Sequence, residues 1–122
     1  MKTKIITLIL ALVAIATAQA QTYTITLDCG KNGSARLSKT TAAEGEEIVL
    51  TQTPHKNYCL KRVYYKIPFE IPWGGTSNLV IFFYNYTAEG APYNPSTVTF
   101  KMPAQDITLF VEWDLIQKPY IP

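Results

Sequence analysis

Few side chains in this sequence have types and spacing that could do chemistry. His55 is the single histidine and sits in the turn Pro54-His55-Lys56-Asn57, where a lone ring is more often solvated than catalytic. Nucleophilic catalysis needs a base held beside a nucleophile, and no such pair is legible here. Cys29 and Cys59 lack the paired His/Cys spacing of a zinc site. The 9 Asp and Glu residues, from Asp28 to Asp114, contain enough carboxylates for the acid–base pair of a glycosidase. That chemistry depends on a separation in space that sequence does not give, so each is assigned to a turn or a solvated face. Gly74-Gly75 lacks the strand-then-helix setting of a phosphate loop. The expectation is a non-enzymatic protein with no metal and no cofactor.

Trp73, Tyr84, Tyr86 and Tyr93 form a second kind of candidate. Rigid rings stack on sugar or peptide faces at low entropic cost. All four fall between Ile67 and Pro95, a segment with two Pro/Gly-rich stretches. They are read as a candidate contact surface for a glycan or a protein partner, against the plainer reading that strand aromatics pack as core and rim. The same segment holds Leu79 to Tyr86, L-V-I-F-F-Y-N-Y, apolar on both faces of a pleat. Such a strand must be covered on both sides, by its own domain or by another chain adding a strand.

Positioning these groups falls to strands. In the stretch Ser96 to Trp113, Val98, Phe100 and Met102 alternate with Thr97, Thr99 and Lys101. Ile107, Leu109, Val111 and Trp113 then alternate with Thr108, Phe110 and Glu112. Strict period 2 argues for half-buried strands, and Pro103-Ala104-Gln105-Asp106 between them reads as the turn of a closing hairpin. Tyr23, Ile25 and Leu27 make the inward phase of a first strand, which Cys29 continues. Asn32-Gly33 suits the positive φ of a tight hairpin turn into a short return strand, Ala35 to Ser38. Glu46 to Thr53 is a third strand stopped by Pro54, and Tyr58 to Lys66 a fourth. Pro68, Pro72, Trp73, Gly74 and Gly75 read as an irregular loop, as does the stretch through Gly90, Pro92, Tyr93 and Pro95.

Met1 to Ala20 reads as a secretory signal, with Lys2 and Lys4, an apolar run from Ile5 to Ala16, and Ala18-Gln19-Ala20 as a small-x-small cleavage site. The apolar run is shorter than the ~20 residues of a bilayer span. No membrane span is therefore expected after cleavage near Gln21. The chain carries 11 Lys+Arg against 9 Asp+Glu. Loss of Lys2 and Lys4 brings the mature domain to neutrality, which leaves no electrostatic footprint for nucleic acid or anionic lipid. Two cysteines in an exported chain suggest a Cys29–Cys59 disulfide, the other reading being two buried free thiols. The expected organisation is a signal peptide (1–20), a single β-domain (21–114) and a short tail (115–122). The expected location is secreted, periplasmic or at the cell surface.

Four blocks of residues carry a likeness. They are G-x-N-G-S-A from Gly30 to Ala35, G-E-E-I-V-L-T-x-T-P from Gly45 to Pro54, Tyr58 with Leu60, and T-F-x-M-P-x-x-D-I-T-L-x-V-x-W from Thr99 to Trp113. This pattern resembles the bacterial surface repeat domain, a group related to the divergent internalin-type B-repeat, or listeria-bacteroides repeat. The resemblance implies a small all-β extracellular module of adhesins and surface proteins, and it brings no catalytic residues. Where that family usually occurs in tandem, this sequence holds one copy with an enlarged middle segment, Ile67 to Pro95.

The fold expected is all-β, a small antiparallel β-sandwich or strongly twisted sheet of about seven short strands. A β-grasp-like arrangement with one short helix is the alternative. The function expected is a secreted, non-enzymatic binding or adhesion-type module at or outside the cell envelope. A structural or assembly subunit pairing through residues 79–86 is the alternative, and a small hydrolase or inhibitor a remoter one.

Overall fold

The computed structural model describes residues 21–116. Residues 1–20, read above as a signal peptide, and residues 117–122 of the expected tail lie outside the described residues. Period-2 patterning becomes eight strands: β1 (Thr22–Asp28), β2 (Gly33–Leu37), β3 (Thr41–Ala43), β4 (Glu47–Pro54), β5 (Tyr58–Glu70), β6 (Thr76–Asn85), β7 (Thr97–Lys101) and β8 (Ile107–Leu115). No helix occurs among the described residues, so the β-grasp-like alternative falls and the all-β arrangement stands.

The strands build a five-stranded sheet, β3-β1-β8-β5-β6, and a three-stranded sheet, β2-β4-β7. β1 and β8 run parallel, with Ile25 beside Ile107 and Leu27 beside Leu109. The other pairings are antiparallel. Between the sheets lies one cluster, in which Ile48, Leu50, Val98 and Phe100 from the smaller sheet meet Ile25, Leu60, Val63, Leu109 and Val111 from the larger. These are the inward phases of alternating strands, while Thr97, Thr99, Lys101 and Thr108 are exposed. Each fully buried aliphatic side chain contributes ~1.5–3 kcal/mol.

Three expectations about local pairing are corrected. β7 and β8 do not form a hairpin, because β7 pairs with β4 and β8 lies between β1 and β5. The chain crosses from one sheet to the other at Pro103–Asp106, where Asp106 Oδ1 accepts the Thr24 N–H at 2.8 Å. An alternating strand looks the same whether its neighbour lies beside it or across a sandwich, so the period alone did not decide. Asn32-Gly33 is likewise no β1–β2 turn, since β2 pairs with β4. Gly33 is needed for another reason, as a Cβ there would lie 2.4 Å from the Trp113 ring. The stretch from Pro68 to Glu70 is strand and not irregular loop. β8 pairs with β5 only as far as Tyr64, so past that point β5 has one free side and the missing Pro68 N–H costs no ladder bond.

The Cys29–Cys59 disulfide is also overturned, since both cysteines are free and not close to one another. The sheet order explains the separation. β8 lies between β1 and β5, and Cys59 sits opposite Asp114 near the far end of β8, while β1 ends opposite Phe110. Two strand spacings sideways and about three residues lengthwise put the two cysteines roughly 14 Å apart. A disulfide reaches only about 7 Å between Cα atoms.

Candidate functional site

Beyond Tyr64, β5 and β6 continue as a two-stranded arm paired only with each other, from Tyr65 beside Ile81 to Glu70 beside Thr76. Its turn closes through the Gly74 N–H to Ile71 O (2.9 Å) and the Ile71 N–H to Gly75 O (3.0 Å). Gly74 and Gly75 have φ of 123° and 86°, values that L side chains rarely adopt. The arm is apolar yet exposed. Phe69, Leu79, Val80 and Phe82 are open to solvent, and Trp73 at the tip is 88% exposed.

β6 is also the edge of the larger sheet, with no strand on its outer side among the described residues. The other three edges carry devices that discourage pairing. β3 is 3 residues long, β2 carries Arg36 and β7 carries Lys101. β6 runs for 10 residues, T-S-N-L-V-I-F-F-Y-N, with neither a charge nor a proline. One bulge, where the register with β5 shifts at Val63/Tyr64, turns both Phe83 and Tyr84 toward the core, Tyr84 buried and Phe83 half-buried. Phe83 stacks on Phe100 with ring centroids 4.2 Å apart, and the Tyr84 hydroxyl donates to Pro92 O at 2.6 Å.

On the outer face of the same sheet the rings of Phe110, Tyr64 and Phe82 form a ladder, with centroid spacings of 5.3 and 5.7 Å. Lys66 Nζ lies 5.0 Å over the Phe110 ring. The Tyr64 hydroxyl donates to Glu112 Oε2 at 2.5 Å. Burial and that carboxylate push the Tyr64 phenol up to about 12. Phe110 stands in the otherwise polar phase of β8, between Thr108 and Glu112, and that misplaced ring was the available signal for this face.

The four aromatics read as one contact surface separate into three places. Tyr84 is core, at 7% exposure. Tyr86 and Tyr93 do come together, around an open depression of ≈ 360 Å³ that Cys59, Asp114, Leu115 and Ile116 complete. The Tyr86 hydroxyl donates to Asp114 Oδ2 at 2.8 Å, which raises its pKa together with a smaller effect of burial. Burial raises the Tyr93 phenol as well, with Cys59 as its neighbour. The loop bearing Tyr93 is held by Asn94, whose Oδ1 accepts from the Leu60 N–H (3.0 Å) and from Gln52 Nε2 (3.1 Å). Trp73 lies elsewhere, since the length of β5 puts about 35 Å between that depression and the tip of the arm.

Among the described residues no three His, Cys, Asp or Glu side chains gather as a metal site. The perturbed tyrosines are all raised and so remain neutral hydrogen-bond donors near neutral pH. Compared with known proteins, the chain gives no significant match to a protein-family model, a curated protein or a solved structure.

Proposed function

We propose that this protein is an exported, non-enzymatic assembly module of the cell envelope or surface, and that it works by accepting a strand from a partner along β6. One observation carries the reading. Of the four strands that end a sheet among the described residues, β6 is the long one without a charge or a proline, and its apolar side chains are exposed, whereas the free side of β5 past Tyr64 carries Lys66, Pro68 and Glu70. An edge of this kind is a template for another chain, and soluble proteins that have no use for it blunt it. The surface-repeat likeness and the signal-like N-terminus support the extracellular placement.

The test uses Val80→Lys, which puts the missing charge on the edge at an exposed position. The variant should keep its melting temperature and lose assembly with envelope components, followed by light scattering. Assembly unchanged in the lysine variant would count against the reading.

A second reading has its own observation. Two phenol rings and the Asp114 carboxylate around an open depression are the groups a sugar ring takes, stacking on the rings and bonding to the carboxylate. Titration with soluble oligosaccharides should then shift amide signals near Cys59 and Tyr86. Tyr93→Ala should abolish those shifts while Val80→Lys leaves them intact. No shift with any sugar at millimolar concentration would dismiss it.

A further inference from the structure

We infer that the strand accepted by β6 is the β6 of a second copy of this chain, paired antiparallel about a two-fold axis at Ile81. The inference rests on the strand-addition reading and names its partner. In a two-fold pair each residue faces one from its own strand, so the sequence must be compatible with its own reversal. Centred on Ile81, Val80 faces Phe82 and Leu79 faces Phe83, so the five apolar positions Leu79–Phe83 meet only one another. Centred at Val80, Phe82 and Phe83 would face Asn78 and Ser77; centred at Phe82, Val80 would face Asn85. The strand carries no charge to be set against its own copy, and like charges placed opposite one another are destabilising.

The faces agree as well. A two-fold axis perpendicular to the sheet keeps outer face with outer face. The Phe110–Tyr64–Phe82 ladder then continues onto Val80 of the second copy, and Leu79 packs beside the half-buried Phe83. Leu79, Val80 and Phe82, the exposed large side chains of β6, each gain an apolar lateral neighbour.

Charge complementarity favours the same overlap. Glu70 is opposite Thr76 across the arm. The bulge at Val63/Tyr64 shifts the count past Phe83 by one residue, so the pairing sets Ser77 against Tyr86 of the second copy, and the Tyr86 N–H donates to Lys61 O at 2.9 Å within its own chain. The acidic end of each arm, Glu70 beside Phe69, therefore lies within one residue of the Lys61 row of the other, their strands about 14 Å apart. Glu70 and Lys61 have no ion-pair partner among the described residues. At that range the attraction orients the encounter and adds little to its strength.

The experiment is sedimentation equilibrium of the mature chain across micromolar concentrations, with hydrogen exchange read at each. The expected result is a mass rising from one chain to two, with exchange slowed at Leu79–Phe83. Val80→Lys should weaken the association roughly ten-fold or more by setting a charge against Phe82. Ile81→Cys should link to its own copy on oxidation, because directly opposed Cα atoms are about 4.5–5.5 Å apart. Leu79→Cys should not, because its partner is Phe83. A monomer at every concentration overturns self-pairing. The strand-addition reading then fails separately, and only if β6 exchange is also unmoved by envelope components. A dimer whose β6 amides exchange as fast as the monomer's overturns the inference too. The exchange measurement on the unmodified chain decides the matter even if the cysteine variants do not fold.

Discussion

Gly33→Ala tests how the two sheets are fitted together. Gly33 opens β2 where the Trp113 indole of β8 passes, and an added Cβ would lie 2.4 Å from Cε2 and 2.5 Å from Cζ2. Carbon atoms in contact sit ~3.5–4.0 Å apart, so the indole must move by an ångström or more. It is not free to do so, because Nε1 donates to Cys29 O at 2.7 Å. Overpacking of this kind costs ~1–3 kcal/mol. Weakening the Cys29 bond adds ~1 kcal/mol, for a total of about 2–4 kcal/mol out of the ~5–15 kcal/mol a domain of this size has. The assay is denaturant unfolding followed by tryptophan emission in a Trp73→Phe background, since Trp73 is 88% exposed and reports on solvent alone. Gly30→Ala is the control. Its φ is +65° with nothing within 4 Å of the added Cβ, so it should cost only backbone strain and leave the Trp113 emission in place. A loss below ~1 kcal/mol for Gly33→Ala, with unshifted emission, would refute the packing described.

Phe100→Ala removes a buried ring stacked on Phe83 and should cost ~3–5 kcal/mol by thermal or denaturant unfolding. Tyr64 has a folded-state pKa near 12, above the ~10 of an unfolded tyrosine, so its contribution is fully present below pH ~10 and is lost as pH rises towards 12. Tyr64→Phe should accordingly flatten the alkaline fall in the unfolding midpoint, and an unchanged alkaline slope would show that burial and the Glu112 contact do not together hold this phenol protonated. Both cysteines should be alkylated after unfolding without reductant, and reductant should leave the melting temperature where it was. One bridged pair by mass spectrometry would contradict the sheet order given above.

The fold class was legible because burial in a two-layer β-structure imposes period 2, and Val98, Phe100, Ile107, Leu109 and Val111 obey it without exception. Pairing was not legible, because Thr97–Lys101 and Ile107–Leu115 show the same alternation whether they are neighbours or face each other across the core. The disulfide expectation failed for the same reason, as nothing local to Cys29 or Cys59 says that β8 comes between their strands. Of the candidate site, the Leu79–Tyr86 stretch was visible as a strand apolar on both faces, but that pattern left open whether its own domain or a partner covers it, and only the sheet order makes β6 an edge. The grouping of Trp73 with three tyrosines was not correct, because a two-stranded arm carries Trp73 away from them and a bulge draws Tyr84 inward. Pro68 hid that arm, since its tolerance depends on a free strand side that only the three-dimensional pairing reveals.

The measurement that bears most directly on the central claim is amide hydrogen exchange at the four sheet edges, taken first in dilute mature protein and again as chain concentration or partner is raised. The outward amides of Thr76–Asn85 should exchange fast when dilute and slow markedly on assembly, while β2, β3 and β7 stay as they were. Slowing at one of those three edges, with β6 unchanged, would contradict it.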